Sequence, residues 1–122
     1  MPLLHGEITE QIIGAAFEVH RGLGYGFLEK VYQQAMIVEL GLRGLSAKDE
    51  EPIVVYYKDF VVGKYEADLW VNDAVIVELK IAKEYNPFDE AQLLNELKAT
   101  RVRVGLLINF GREKVQFKRF IL

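Results

Sequence analysis

Asp68 and, ten positions later, Glu78-Leu79-Lys80 are the residues of this 122-residue chain whose types and spacing could do chemistry. The stretch around the second group, Val75-Ile76-Val77-Glu78-Leu79-Lys80, is otherwise aliphatic and reads as a strand. On a strand Glu78 and Lys80 leave the same face, because side chains alternate with a period of two. A buried carboxylate needs a partner, a proton or a metal. Two carboxylates beside a lysine suit a divalent cation: Mg²⁺ takes hard oxygen ligands, often one or two carboxylates, and keeps several waters. One such water can be deprotonated and directed at phosphorus, with the lysine orienting it or balancing developing charge. The competing reading is a surface ion pair between Glu78 and Lys80, with Asp68 in solvent. The residues alone leave both open.

The choice turns on the register of one hairpin. If Asn72-Asp73 is a two-residue loop, Val71 faces Ala74, Asp68 faces Val77, and the Asp68 side chain points away from Glu78. If the loop takes in Ala74 as well, or a bulge adds one residue, Val71 faces Val75 and Asp68 faces Glu78. A slip of one residue therefore makes or destroys the site. Asn-Asp is a weaker two-residue turn signal than Asn-Gly, which makes the longer loop credible.

Other residues are auxiliary candidates. Glu29 could reach a metal or one of its waters, or could simply be a first-turn glutamate favoured by the helix dipole. Gln92 could touch a nucleotide or a ligand water, or be solvated. Glu66 shares the strand face of Asp68. Tyr32 reads as packing. His5 and His20 have no metal-ligand spacing. The run Gly22-Leu23-Gly24-Tyr25-Gly26 follows a helix and lacks the Gly-Lys-Ser/Thr ending of a phosphate loop, so a tight helix–helix connection is expected.

The elements that must position these residues follow from periodicity. A first helix is expected from a Thr9 cap to about Arg21, with Ile8 stapled onto Ile13. A second fits Phe27 to about Arg43, with Leu28, Val31, Ala35, Val38 and Leu42 as its apolar stripe. Strands are expected at Ile53–Tyr57, Phe60–Val71 and Ala74–Ile81. Asn86-Pro87-Phe88-Asp89 starts a third helix running to about Ala99. Val102–Asn109 reads as a central strand and Glu113–Phe120 as an edge strand. The order is ααβββαββ, an α/β (α+β) class with a mixed central sheet flanked by helices. The third helix is long enough to carry a parallel crossover between the third and fourth strands.

Composition bounds the rest. The chain is 51% hydrophobic and 27% charged, so it can bury one core, and a single domain over residues 1–122 is expected. It has no cysteine, hence no disulfide, thiolate ligand or thiol nucleophile. No membrane-length apolar run or secretory start is evident, so a cytoplasmic protein without a membrane role is the default. The net charge of −3 argues against broad charge-driven binding of nucleic acid. It hides an asymmetry: residues 98–122 carry seven basic groups against Glu113 alone.

Gly26-Phe27-Leu28-Glu29-Lys30-Val31-Tyr32 matches the GxxExxY signature. Ala16-Phe17-Glu18-Val19-His20, Ala67-Asp68-Leu69, Val77-Glu78-Leu79-Lys80 and Ala91-Gln92-Leu93-Leu94 are also similar to the GxxExxY proteins of the PD-(D/E)xK nuclease-like superfamily. The resemblance runs from about Glu7 to Phe120. It implies a restriction-endonuclease-like core and cleavage of a phosphodiester in DNA, or less readily RNA, with Mg²⁺ or Mn²⁺. It implies Asp68, Glu78 and the Leu79 carbonyl as metal ligands and Lys80 as the catalytic lysine. Glu29 resembles a helix glutamate found in part of the superfamily, and Gln92 the glutamine of a QxxxY motif. Two positions depart from the pattern: Glu96 replaces that tyrosine, and Glu66 stands where many relatives carry a basic residue. A homodimer or a partner protein could supply the missing basic surface. The alternative is a catalytically silent nuclease-like protein that binds proteins or nucleotides.

Overall fold

The computed structural model describes residues 3–122; Met1 and Pro2, the first residues of the stretch in which no secretory start is evident, lie outside them. The order is α1 (Gly6–Leu23), α2 (Glu29–Leu42), β1 (Ala47–Tyr57), β2 (Phe60–Val71), β3 (Val75–Lys80), α3 (Pro87–Thr100), β4 (Val104–Asn109) and β5 (Gln116–Ile121). The five strands form one sheet in sequence order, β1-β2-β3-β4-β5. β3 and β4 are parallel, joined over α3, and the other neighbours are antiparallel. The class and element order expected from the sequence are those observed. Among the described residues no helix is long and apolar enough to cross a membrane.

Strand alternation divides the core between the two sheet faces. Val75, Val77 and Leu79 join Leu106, Ile108 and Phe110 under α1 and α2, which contribute Ile12, Ala16, Tyr32, Met36 and Leu40. Ile76 and Leu107 point the other way and meet Leu93 and Leu97 of α3. Gly105 lets α3 sit close, since a Cβ there would stand only 3.0 Å from Leu93 Cδ1. At its start α3 is fixed as expected: Asn86 Oδ1 accepts the Phe88 N–H at 3.0 Å and Pro87 fills the first turn.

Three expectations are corrected. α1 starts earlier, at Gly6, after His5 in the left-handed region. Thr9 is not the cap; it is buried inside the helix, its hydroxyl donating back to the carbonyls of Gly6 and His5. β1 starts at Ala47 rather than Ile53, because the polar run before Ile53 pairs with β2 as far as Val71; an edge strand tolerates both its charges and Pro52. The third concerns α2. Its core face is Tyr32, Gln33, Met36 and Leu40, while Leu28, Val31, Val38 and Leu42 of the expected stripe are exposed.

The glycine run is the expected helix connection. Gly24 and Gly26 take φ of 71° and 111°, where a side chain would be strained. The buried Tyr32 hydroxyl donates to the Gly24 carbonyl at 2.7 Å and accepts the Phe27 N–H at 3.3 Å. Its ring stacks on Phe110, centroids 4.7 Å apart. The entry to α2 is thereby tied to the end of β4.

β4 also holds the end of β3. Lys80 pairs with Asn109, and Phe110 N–H donates to the Lys80 carbonyl at 2.8 Å. The Asn109 amide donates to the Ala82 carbonyl at 2.8 Å and accepts from Gly111 N–H. A Cβ on Gly111 would collide with the Ile81 carbonyl and lie 2.8 Å from Ala82 N. Both are backbone atoms and cannot swing aside. Gly111→Ala should therefore destabilise the protein by about 1–3 kcal/mol. Chemical denaturation checks this, and an unchanged midpoint would show that the segment after Lys80 is not held in this way.

Candidate functional site

The β2–β3 hairpin adopts the longer loop. Val71 pairs with Val75, Trp70 with Ile76 and Leu69 with Val77. Asn72 and Asp73 both take positive φ, 50° and 54°, and Ala74 N–H closes the turn onto the Val71 carbonyl at 2.9 Å. Asn and Asp tolerate this region better than other side chains. Ala74 is then the additional residue that sets the register.

Beyond Leu69–Val77 the ladder stops and the strands fork. Asp68 bridges the fork, its Oδ2 accepting the Leu79 N–H at 2.7 Å. The same position is irregular on the β1 side: Glu50, opposite Asp68, has φ 51° and interrupts the pairing between Asp49–Leu69 and Glu51–Ala67. The Asp68 carbonyl is taken by Gln33 of α2, whose Nε2 donates at 2.9 Å. Asp68 is thus held by backbone and side chain together.

Glu78 faces α3 and is 2% exposed; Glu96 of α3, at 0%, lies against it. Gln92 Nε2 donates to Glu96 Oε2 at 3.1 Å. One oxygen of each glutamate, Glu78 Oε1 and Glu96 Oε1, is buried without a hydrogen-bond partner. Burial pushes the Glu78 carboxyl far above the usual carboxylate range, and the neighbouring Glu96 and Asp68 carboxyls push it further. In the cation-free protein Glu78 holds a proton at neutral pH.

Lys80 is partly buried, its Nζ 3.6 Å from Asp89 Oδ1 in the first turn of α3. Burial pulls its pKa down, but Asp89, Glu29, Glu78 and Asp68 outweigh it and leave the lysine above its ordinary value. Lys80 is therefore an ammonium at neutral pH, able to donate hydrogen bonds and unable to take a proton. Glu29, opening α2, is raised by burial and then by Asp68, while Lys80 acts the other way.

The structure thus brings Asp68, Glu78, Lys80 and Glu29 to one place from three elements. Gln92 enters one step removed, through Glu96. The Leu79 side chain packs in the core, and its N–H serves Asp68. Glu66 is exposed. Two participants escape the sequence reading. Asp89 is visible there only as a helix-start residue, and Glu96 only as a departure from a motif. A signal was available for each: Asp89 follows the Lys80 strand by one short loop, and Glu96 lies four residues after Gln92, on the same helix face.

Among the described residues no three His, Cys, Asp or Glu side chains are grouped tightly enough to cage a metal ion. The donor set still fits a hard divalent cation. Two carboxylates with water completing the shell is the habit of Mg²⁺, and the unpartnered Glu78 Oε1 is an oxygen that a cation would satisfy once Glu78 gives up its proton.

A five-stranded mixed sheet between helices, forked at an acidic pair with a lysine two residues on, defines a nuclease-like α+β domain. The model of the PD-(D/E)XK nuclease superfamily matches residues 6–120, and the chain belongs to that superfamily. Among solved structures it is similar to one described as "Crystal structure of SSO0001", with a TM-score of 0.56 at 14% identity. That match covers 96% of this chain and 58% of the other, so the chain spans little more than half of that protein. The likeness concerns the fold. No curated protein gave a significant match.

The Glu78 environment sets a pH dependence. Below its unfolded pKa of about 4.5 the group is protonated in both states. Above it the unfolded chain releases the proton and the folded one keeps it, so stability falls as pH rises toward the folded value. The slope for one such group reaches about 1.4 kcal/mol per pH unit. In thermal melts without divalent cations, Glu78→Gln should flatten the decline from pH 5 to 9 and melt above the parent at pH 9. Parallel curves for the two proteins would refute the raised pKa.

Proposed function

We propose that the chain is a Mg²⁺- or Mn²⁺-dependent phosphodiesterase acting on DNA in preference to RNA, in a cytoplasmic setting. We also assign it to the GxxExxY proteins, on Gly26, Glu29 and Tyr32. The observation that carries the reading is the convergence of Asp68 and Glu78 across the fork, with Lys80 charged beside them. Asp68 and Glu78 would hold the cation, with the Leu79 carbonyl as a further oxygen ligand. When bound, such an ion polarises the phosphate and lowers the pKa of coordinated water. Glu78 must give up its proton to serve as a ligand. The Lys80 ammonium donates to the attacking water or to a phosphate oxygen as negative charge develops, and Asp89 keeps it in place. Glu29 can accept a hydrogen bond from a water at the mouth of the site. Gln92, through Glu96, fixes the carboxyl against which Glu78 rests.

Grip on a polyanion would come from the basic C-terminal quarter. Part of that charge is already engaged: Lys118 pairs with Glu90, and Arg119 and Arg103 donate to the carbonyls of Leu4 and Leu122. Lys98 and Arg101, with Tyr56, Tyr65 and Asn95, line an open groove of about 500 Å³ along α3. Tyrosines interleaved with cations suit a nucleic-acid backbone and its bases. A second copy or a partner protein would extend this surface.

Two readouts test the proposal. Millimolar Mn²⁺ or Mg²⁺ should raise the melting temperature more at pH 8 than at pH 5.5, and Asp68→Asn or Glu78→Ala should abolish the rise. On single- and double-stranded DNA and on RNA, Lys80→Ala should retain the cation-induced shift and lose about 10²-fold or more in cleavage rate. Cation binding with no cleavage of any substrate would assign the chain to the silent nuclease-like proteins. Neither shift nor cleavage would remove the metal site as well.

A further inference from the structure

Most of the outer face of α2 is unexplained by the core and by the site; of its apolar row only the half-buried Ala35 touches the core. Leu28, Val31, Ala35, Val38 and Leu42 follow the alternating three-and-four spacing of a coiled-coil seam. The core takes the other side of the helix, through Tyr32, Gln33, Met36 and Leu40. Leu28 is 75% exposed, Val31 38%, Val38 63% and Leu42 78%. Gln34 and Gly41 complete this face, and no charge stands among the seven positions. A helix face turned to solvent ordinarily carries charge. Scattered exposed aliphatics need no explanation, but a continuous charge-free stripe along a whole helix marks an interaction surface.

We propose that this face is the docking surface of a second copy of the chain, α2 against α2, antiparallel about a twofold axis at Ala35. The seam reads the same in both directions: Leu, Val, Ala, Val, Leu. A twofold interface requires a patch that complements itself. Antiparallel pairing sets Leu28 against Leu42 of the other copy and Val31 against Val38. The small Ala35 falls at the crossing, where the helices approach most closely.

Electrostatics selects the same arrangement. Antiparallel alignment puts the positive N-terminal end of each helix dipole beside the negative C-terminal end of the other, whereas parallel alignment juxtaposes like ends. The area matches a small, weak dimer rather than an obligate one. Leu28, Val31, Val38 and Leu42 alone offer on the order of 450 Å² per copy, and with the flanking positions the face reaches the small end of specific interfaces, about 600 Å² per partner. The candidate site stays open in such a dimer, because Gln33 is on the core side of α2 and Glu29 faces Asp68 and Lys80. The inference is independent of the nuclease reading.

The absence of cysteine allows a clean test. Ala35→Cys should form a disulfide-linked dimer under mild oxidation. Leu28→Cys alone should not, but mixed with Leu42→Cys it should give the hetero-linked species. Sedimentation of the parent from micromolar to hundreds of micromolar should show a monomer–dimer equilibrium. Val38→Glu, at an exposed position, should weaken it at least about tenfold while leaving the helical circular dichroism unchanged. A parent that stays monomeric throughout, or an Ala35→Cys protein that does not cross-link, overturns the proposal. Efficient homodimer formation by Leu28→Cys overturns the antiparallel arrangement. Should Val38→Glu fail to fold, the cross-linking pattern decides alone.

Discussion

The hydrogen bond from Leu79 N–H to the Asp68 carboxylate, 2.7 Å long, is the constraint on which the site depends. It stands where the β2–β3 ladder would otherwise continue, so an aspartate side chain does the work of a strand's backbone. The substitution opens the fork without leaving a buried N–H unpaired. It also fixes which way the second carboxylate of the pair lies. Glu78 precedes Leu79 and must face α3, and Lys80 follows onto the same side. The register behind this comes from one extra loop residue, Ala74, after two residues in the left-handed region. The Gln33 contact to the Asp68 carbonyl carries the constraint to α2, whose first residue is Glu29.

Four carboxyl groups, Glu29, Asp68, Glu78 and Asp89, gather around the Lys80 ammonium, and a fifth, Glu96, lies behind Glu78. Burial first, and then this crowding of carboxyls, pushes Glu29 and Glu78 toward their neutral form, while the surrounding carboxyls hold the lysine in its charged form. Glu96 can be weighed in the same terms. As a departure from a tyrosine it suggested added negative charge against a polyanion. Its full burial takes it out of direct contact with anything in a groove outside. Its effect is internal: it crowds Glu78 and raises the demand for a proton or a cation. Glu66 is the departure that stays on the surface.

What was legible in the sequence was whatever local chemistry decides. The bounds of β2, the Asn86-Pro87 start of α3 and the crossover between parallel strands each rest on residues within a few positions of one another. The hairpin stood as two explicit alternatives, because turn preference does not separate them and only the tertiary fork does. Asp89 and Glu96 carried only weak local signals, a short loop after Lys80 and a shared helix face with Gln92, which did not by themselves mark them as site residues. Each meets its partner through the crossover, and no pattern within a helix reveals which strand residue will lie beneath it. The early part of β1 was hidden for another reason: its polar run resembles a loop, and its pairing comes from β2 on one side alone.

The misassigned stripe of α2 has a different origin. Two apolar rows run along that helix, Tyr32-Met36-Leu40 and Leu28-Val31-Ala35-Val38-Leu42, and periodicity scores both. The row chosen by the fold is the one whose members close the site: Tyr32 ties down the glycine connection, and Gln33 beside it holds Asp68. The regular heptad row is left outside. Its spacing is a helix-packing signal, and intramolecular packing uses only the half-buried Ala35 of it. Heptad periodicity reports that a helix has a partner without saying whether that partner is in the same chain. For α2 the fold supplies the first partner and leaves room for a second, so one helix can anchor the site on its inner side and join two copies on its outer side.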